Sequence, residues 1–534
     1  MKLAICQINP SLGDFEKNKI KILKYVEKSK SLNVNIIIFP ELSLSGYPPM
    51  DLIWDKGFIE QNNMVLNEVA SDSSIPIILG CIRSDGGKIF NSAAICYDNK
   101  IQDFYDKILL PNYDVFDEKR FFTSGLKPKT VLIPINGQNK KIGVQICEDL
   151  WDENYSCKVS YEQKKLGAEL IINISASPFR ENKVSERKKL VAAKAKKLLL
   201  PFVYCNMIGG QDELIFDGSS FAVSKEGILL SQAKSFKEEL HVVNLDLHKK
   251  SKYLPVSREE EIFQALCLGV KDYFYKTNHE KAVIGLSGGI DSALVASIAV
   301  SALGNKNVYG FSLPSKFSSK HSLTDAKELA SNLGIEYQII KINSLVSLYK
   351  TTLKPNFKNH KLDNTEENIQ SRVRGNLLMA LANKHGWLVL STGNKTEIAL
   401  GYCTLYGDMI GALSVIADLN KNDVYKLSKW INRNFQNYIP INSITKPPSA
   451  ELALNQVDPY DYSVVSPIVD DIIERQKSPS VLINEGFEKQ LVYDIYAKIK
   501  ISEYKRSQAP IGLKVTSKAF GIGRRYPIVN NYNV

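Results

Sequence analysis

Three polar residues in the first half of the chain stand just beyond or beside apolar runs. Glu41 ends NIIIFPE, Lys107 lies in FYDKILLPNYDVFDEKRFF, and Cys147 follows IGVQI in IGVQICED. Strand ends are where a parallel sheet presents reactive groups. A thiol there accepts an acyl group once a base removes its proton, and a carboxylate in an apolar pocket has the raised pKa suited to that task near neutrality. Glu41 is read as the base. A lysine at the same edge can face the oxyanion of a tetrahedral intermediate, which is the role read for Lys107. By spacing alone, one Glu, one Lys and one Cys so far apart could be coincidental.

A second constellation lies in KAVIGLSGGIDSALVASIAV, which reads as strand, glycine-rich turn and helix. Gly288 and Gly289 let the backbone approach an anion, and the helix N-terminal amides with the Ser287 and Ser292 hydroxyls can donate to phosphate oxygens. A Walker A loop would need Gly-Lys followed by Ser or Thr. The one Gly-Lys pair, Gly87-Lys88, is followed by Ile, so that class is excluded. The eight cysteines contain no CxxC, and the six histidines no HxxxH or HExxH. A disulfide framework, a zinc ribbon and a transition-metal site are therefore not expected, and any metal should be Mg²⁺ on oxygen ligands.

The elements that must hold these groups fall into two styles. At 534 residues the chain is long enough for two or three domains, and 44% hydrophobic with 23% charged residues suits large cores under a solvated surface. Residues 1–245 alternate short β-rich runs with amphipathic helices. NIIIF and ELIINIS are apolar enough for strands buried on both faces. Strands are expected at Lys2–Ile8, Asn35–Phe39, Ile75–Cys81, Asn91–Tyr97, Lys141–Ile146, Leu170–Ser175 and Phe202–Met207. Residues 246–260 read as a linker running into a helix start, with Ser257 and Glu260 at capping-box spacing. Residues 261–534 alternate strands near Ala282–Leu286, Asn307–Leu313, Glu336–Ile342 and Trp387–Ser391 with helices between them. This is the pattern of a doubly wound parallel sheet. The polar stretch Lys350–Asn364 is read as a mobile loop.

The net charge of +11 falls mostly on the second half, and Lys505 to Arg525 holds six basic residues with no acid among them. Such an excess fits an anionic partner, or in the tail a solvated basic edge. The chain starts MKLAICQINP and reaches polar Gln7 and Pro10 too early for a secretory signal. No run reaches the length of a membrane helix, so a cytoplasmic protein is expected.

The local wording adds family resemblances. FPELSLSGYPP around Glu41, YDKILLPNYDVFDE around Lys107 and GVQICEDLW around Cys147 resemble the nitrilase, or carbon–nitrogen hydrolase, superfamily. That resemblance implies an αββα sandwich with Glu41 as general base, Lys107 as the lysine and Cys147 as nucleophile. SGGIDS resembles the N-type ATP pyrophosphatases, which cleave ATP between the α and β phosphates to adenylate a substrate. It implies a Rossmann-like domain in which Gly285, Leu286, Ser287, Gly288, Gly289, Ile290, Asp291 and Ser292 bind ATP, with Asp291 a Mg²⁺ carboxylate. ENIQSRVRG, STGNKTEIALGYCTLYGD, DLNKNDVYKL, KPPSAEL and GLKVTSKAFGIGRRYP resemble the NAD synthetases.

Taken together, the two halves resemble the glutamine-dependent NAD⁺ synthetases. The resemblance implies that Thr392 and Lys421 contact ATP, and that Glu397 holds Mg²⁺ or substrate. Asn368, Arg372, Asp408 and Lys514 would then line the deamido-NAD⁺ site, and Tyr113, Ser177 and Lys183 would bind glutamine. In ASPFRENK, Asn182 replaces a glycine common in relatives. TSKAFG stands where TPRAFG is commoner, so the substrate role goes to Lys514 rather than Lys518. The expected partners are small molecules, with neither nucleic acid nor membrane, and the expected assembly is a homo-oligomer. A second enzyme reading keeps the chemistry and changes the acceptor to another carboxylate or a purine. Because free ammonia would protonate and escape in bulk water, a passage for it to the adenylated intermediate is expected.

Overall fold

The computed structural model describes residues 1–247, 256–358, 360–435, 437–453 and 456–532. Residues 248–255, the centre of the expected linker, lie outside the described residues. The chain divides into two compact units, Met1–Val256 and Ser257–Val534. No helix among the described residues is long and apolar enough to cross a membrane.

The first unit begins with β1 (Lys2–Gln7), α1 (Phe15–Lys30), β2 (Ile36–Ile38), α2 (Lys56–Ala70), β3 (Ile77–Asp85), β4 (Lys88–Tyr97) and β5 (Lys100–Asp106). It continues through α3 (Glu118–Phe121), β6 (Thr130–Ile135), β7 (Gln138–Ile146), α4 (Val159–Lys165), β8 (Leu170–Ser175), α5 (Lys183–Leu198) and β9 (Phe202–Asn206). Five short strands close it: β10 (Ile208–Gln211), β11 (Leu214–Asp217), β12 (Phe221–Val223), β13 (Leu229–Gln232) and β14 (Glu239–Asn244).

Two six-stranded sheets result, ordered β14-β1-β2-β3-β4-β5 and β13-β12-β9-β8-β7-β6. Strand period explains how they stack, since successive side chains point to opposite faces. Leu3 and Ile5 of β1 join Ile142, Val144 and Ile146 of β7 in a shared core between the sheets. Ala4 and Cys6 point the other way, to Phe15, Ile22 and Val26 of α1 and Val65 and Val69 of α2. On the far side, Ile171 and Phe202 pack on Val191 and Ala195 of α5. The layers are therefore αββα. The strands that sequence pattern did not pick out are short or polar: β5 reads KIQDFYD, and β6 carries Pro134. β6 is an edge strand, where a residue without an N–H is tolerated.

In the second unit, Ser257 Oγ accepts the Glu260 N–H and starts α6 (Arg258–Lys276). There follow β15 (Ala282–Gly285), α7 (Ile290–Leu303), β16 (Val308–Ser312), α8 (Lys320–Leu333), β17 (Glu336–Ile339), α9 (Asn343–Phe357) and α10 (Asn364–His385). β18 (Leu388–Ser391), α11 (Lys395–Leu400), β19 (Leu413–Ser414) and α12 (Lys421–Asn434) come next, and β20 (Ile511–Gly512) adds the last strand. The sheet order β17-β16-β15-β18-β19-β20 is parallel at every pairing. The connection direction reverses between β15 and β18, so the carboxyl end of β15 is the switch point where ligands of open α/β sheets bind.

Two expectations are corrected here. The stretch read as a loop from Lys350 is helical through Phe357, and α10 begins at Asn364. No residue of α9 is fully buried, but Val346, Leu353 and Phe357 pack on the core at helical spacing, and from Lys350 on the stripe comes down to Leu353 and Phe357 among polar residues. The basic tail is not uniformly a solvated edge. Lys505 Nζ donates to the carbonyls of Gly401 and Cys403, Arg506 is buried against the carbonyls of Ile398 and Ala399, and Lys514 is buried.

Candidate functional site

The first cluster is assembled from three strand ends. Glu41 follows β2 in a turn that crosses β3 at Gly80. A Cβ on Gly80 would come within 2.2 Å of the Pro40 carbonyl oxygen and 2.4 Å of the Leu42 nitrogen, so only glycine admits that turn. Lys107 follows β5, its N–H tied to the Asn91 carbonyl at 2.9 Å. Cys147 follows β7 at φ +41, left-handed for a non-glycine residue, and opens a short 3₁₀ turn. A strained residue at a strand end is a recurrent way of lifting a nucleophile clear of its sheet.

Lys107 is wholly buried, and its Nζ donates to Glu41 Oε1 at 2.7 Å and to Glu118 Oε1 at 2.8 Å. Glu41 takes two further donors, Asn91 Nδ2 on Oε1 and the Ala176 N–H on Oε2, both at 2.7 Å. Tyr47 donates to Glu118 at 2.9 Å, while among the described residues Glu118 Oε2 has no hydrogen-bond partner. Burial pushes Glu118 up to about 7, with Lys107 pulling the other way. Burial also raises the Cys147 thiol well above its ordinary value. Glu41 adds to that rise and Lys107 opposes it, so Cys147 lies within their electrostatic reach. A thiol in that state needs a base at the moment of attack.

Among the expected glutamine contacts, Tyr113 meets the residue after the nucleophile. Tyr113 Oη donates to Glu148 Oε1 and Oε2 at 3.2 and 3.0 Å, and Tyr155 Oη donates to Oε1 at 2.9 Å. Ser177 is buried. Its N–H donates to Asn206 Oδ1, and its Oγ accepts from Nη2 of the buried Arg187, whose Nη1 donates to both carboxylate oxygens of Asp217. Lys183 Nζ lies 3.9 Å from the centre of the Trp151 ring, and burial pulls its pKa down to about 8. Asn182, just before α5, adopts φ +64. Asn enters this left-handed region more readily than most residues, which suits the turn into α5 at Lys183.

The second cluster surrounds the carboxyl end of β15. Gly288 has φ +75, and a Cβ there would lie 2.3 Å from the Ser322 carbonyl oxygen. The Gly289 N–H donates to Ser287 Oγ, and the Ser287 and Ser292 hydroxyls lie 3.2 Å apart. A cavity of about 320 Å³ opens over this loop. It is lined by Gly285–Ser292 apart from Gly288, and by Thr392, Glu397, Asp408 and Lys421. Asn368, Arg372 and Lys514 are not in that lining. Asn368 Oδ1 accepts from Thr404 Oγ1, the exposed Arg372 donates to the Leu405 carbonyl, and Lys514 Nζ donates to the carbonyls of Thr516 and Ser517.

Lys421 Nζ bridges Asp291 Oδ2 at 2.5 Å and Glu397 Oε1 at 3.0 Å. Burial opposes its charge, yet the two carboxylates hold its pKa above the ordinary value. Burial raises Glu397 to about 7, and it raises Asp408, whose Oδ1 accepts the Thr404 N–H at 2.6 Å. Two carboxylates already converging on one cationic atom form a hard-oxygen donor set that fits Mg²⁺ alongside substrate phosphates.

Sequence reasoning passed over Glu118, Glu148, Asp149 and Arg374. Glu118 and Glu148 stand inside the quoted motifs, but no spacing rule separates them from surface carboxylates. Asp149 is wholly buried. Its Oδ1 takes the N–H groups of Ile108 and Leu109, and its Oδ2 takes the Ile146 N–H and the Tyr105 hydroxyl. One carboxylate thus ties the residues after Lys107 to the residue before Cys147.

Comparison with known proteins follows the same division. Residues 2–253 match the carbon–nitrogen hydrolase family, and residues 262–509 match the NAD synthase family. The chain is 44% identical to the glutamine-dependent NAD(+) synthetase of Synechocystis sp. over 99% of both chains. It is 41% identical to the Thermotoga maritima protein of the same name, over all of this chain and 99% of that one. The solved glutamine-dependent NAD⁺ synthetase of Acinetobacter baumannii, in complex with ADP, is 37% identical. It superposes with a TM-score of 0.80 over 99% of this chain and 98% of that one.

Proposed function

The chain belongs to the glutamine-dependent NAD⁺ synthetases, and on that premise we propose which residues carry each half of the reaction. The enzyme amidates deamido-NAD⁺ to NAD⁺ with ATP as co-substrate and glutamine as nitrogen donor, giving AMP, pyrophosphate and glutamate.

In the first unit, Glu41 takes the Cys147 proton as Sγ attacks the glutamine side-chain amide. Three donors already engage the Glu41 oxygens, which leaves a lone pair for the thiol proton. Lys107 faces the developing oxyanion with its charge kept in place by two carboxylates. The C–N bond breaks, Glu41 returns its proton to the departing ammonia, and a glutamyl thioester remains for water to hydrolyse. Tyr113, Ser177 and Lys183 hold the glutamine, Lys183 by its charge on the α-carboxylate.

In the second unit, Gly285–Ser292 with Thr392 and Lys421 bind ATP, and the ADP complex of the Acinetobacter baumannii relative supports reading the cavity as a nucleotide site. Asn368, Arg372, Glu397, Asp408 and Lys514 bind deamido-NAD⁺. Asp291 and Glu397 would hold Mg²⁺, which when bound offsets phosphate charge. The nicotinate carboxylate displaces pyrophosphate from the α phosphorus, and ammonia then displaces AMP.

The buried Lys107 bridge between Glu41 and Glu118 beside Cys147 carries the assignment of the first site. Cys147→Ala tests it. NAD⁺ formation from glutamine should be lost while formation from added ammonium chloride persists, and loss of both activities would contradict two separable sites.

A further inference from the structure

α10 sends into the cavity of the second unit one charged side chain that lies within ENIQSRVRG but has been given no role there. Arg374 lines that cavity together with Leu313, Leu286 and Ser287. Its Nε donates to the Leu313 carbonyl at 2.9 Å, which fixes the plane of the guanidinium beside the end of β16. One turn on, Leu378 packs beneath Gly285 at the start of the phosphate loop, so Arg374 stands on the loop's side of the cavity.

Among the described residues, neither Nη1 nor Nη2 of Arg374 makes a hydrogen bond or an ion pair. The two carboxylates whose field it feels are engaged elsewhere. Glu451 accepts from the Ser319 N–H and from the Ser319 and Ser322 hydroxyls, and Asp408 accepts from the Thr404 N–H. Burial pulls the guanidinium down to about 10, the sign of a charge short of compensation. A fixed cationic fork with free donors facing a cavity is a seat for an anionic oxygen.

We propose that Arg374 is a substrate-binding residue whose Nη donors hold a phosphate oxygen of ATP. The assignment rests on reading this cavity as the ATP site. It favours ATP over the other anionic substrate because Arg374 stands on the phosphate-loop side of the cavity with Leu286 and Ser287, although Glu397 and Asp408 of the deamido-NAD⁺ set line the same cavity.

The test is equilibrium titration of the full chain with ATP, adenosine and deamido-NAD⁺ separately, for wild type, Arg374→Met and Arg374→Lys. Losing a charge-assisted contact should weaken ATP binding of Arg374→Met roughly tenfold to a hundredfold, with adenosine changed less than about twofold. Arg374→Lys, which keeps the charge without the fork, should fall between. Retained adenosine binding shows that the variant's cavity is folded. Unchanged ATP affinity, equal losses for ATP and adenosine, or a loss confined to deamido-NAD⁺ would each overturn the proposal. Wild type that binds neither ATP nor adenosine would instead overturn the reading of the cavity, and the assignment with it.

Discussion

Asp149→Asn separates the geometry of the glutaminase site from the stability of the unit that holds it. The carboxylate accepts four hydrogen bonds, at 3.1 and 2.9 Å from the Ile108 and Leu109 N–H groups and at 3.1 and 2.9 Å from the Ile146 N–H and the Tyr105 hydroxyl. An asparagine can serve one pair with its oxygen. If that pair is Ile108 and Leu109, its NH₂ meets Tyr105, which can turn to accept, and Ile146 N–H, which cannot. At least one buried donor is left unpaired, at a cost of about 1–3 kcal/mol. Against this stands the charge the variant removes. Burial pushes the Asp149 carboxyl from its ordinary 3.8 up to about 6. Its ionised form therefore costs on the order of 3 kcal/mol above pH 7. The two effects nearly offset at pH 8, so denaturation midpoints of wild type and variant should lie close together there.

The pH dependence has a definite sign. A carboxyl raised on folding contributes stability that is full below its unfolded value and is lost as pH rises through the folded value. Between pH 5 and pH 8, wild type should lose on the order of 1 kcal/mol relative to Asp149→Asn, which has no carboxyl to titrate at that position. Catalysis should not be spared. Ile146 precedes Cys147 and Ile108 follows Lys107, and a displacement of even about 1 Å at reacting groups can cost on the order of a hundredfold. Glutamine-driven NAD⁺ formation should fall by roughly tenfold or more while ammonia-driven formation holds within about twofold. A glutamine-driven rate equal to wild type, or a stability gap constant across pH, would refute the argument.

Two further outcomes are expected. Because burial sets Lys183 near 8 and only its protonated form attracts the glutamine α-carboxylate, kcat/KM for glutamine should decline above pH 8. Lys183→Met should be low and flat over the same range, and an identical decline in that variant would rule Lys183 out as the titrating group. Gly288→Ala puts a Cβ 2.3 Å from the Ser322 carbonyl oxygen at φ +75. Ammonia-driven synthesis should drop by more than about tenfold while glutamine hydrolysis continues, and near-normal synthesis would mean that the loop tolerates the strain.

How much could be read in advance differs residue by residue. Glu41, Lys107, Cys147 and SGGIDS were legible because they sit in distinctive local strings. Ser257 was legible because a capping box is a contact between near neighbours in sequence. β8 was legible to the residue because a strand buried on both faces is mostly apolar, as four of its six residues are. The end of α9 was not, because beyond Lys350 its apolar stripe comes down to Leu353 and Phe357 among polar residues.

Glu118 and Asp149 belong to a different class. Each lies within or beside a motif, yet its importance rests on partners brought together by the sheets. Lys107 and Glu41 come from separate strands, as do Ile108 and Ile146. Arg374 likewise carries no signal of its own in the sequence, and only the packing of α10 brings its Nε to the Leu313 carbonyl. The sequence alone determined the chemical types available and the two-part plan, because those depend on short-range order and on alternation of polar and apolar residues. Only the tertiary structure decided which carboxylate faces which cation, and which donors are left open to a substrate. Those depend on distances between residues that the chain itself does not join.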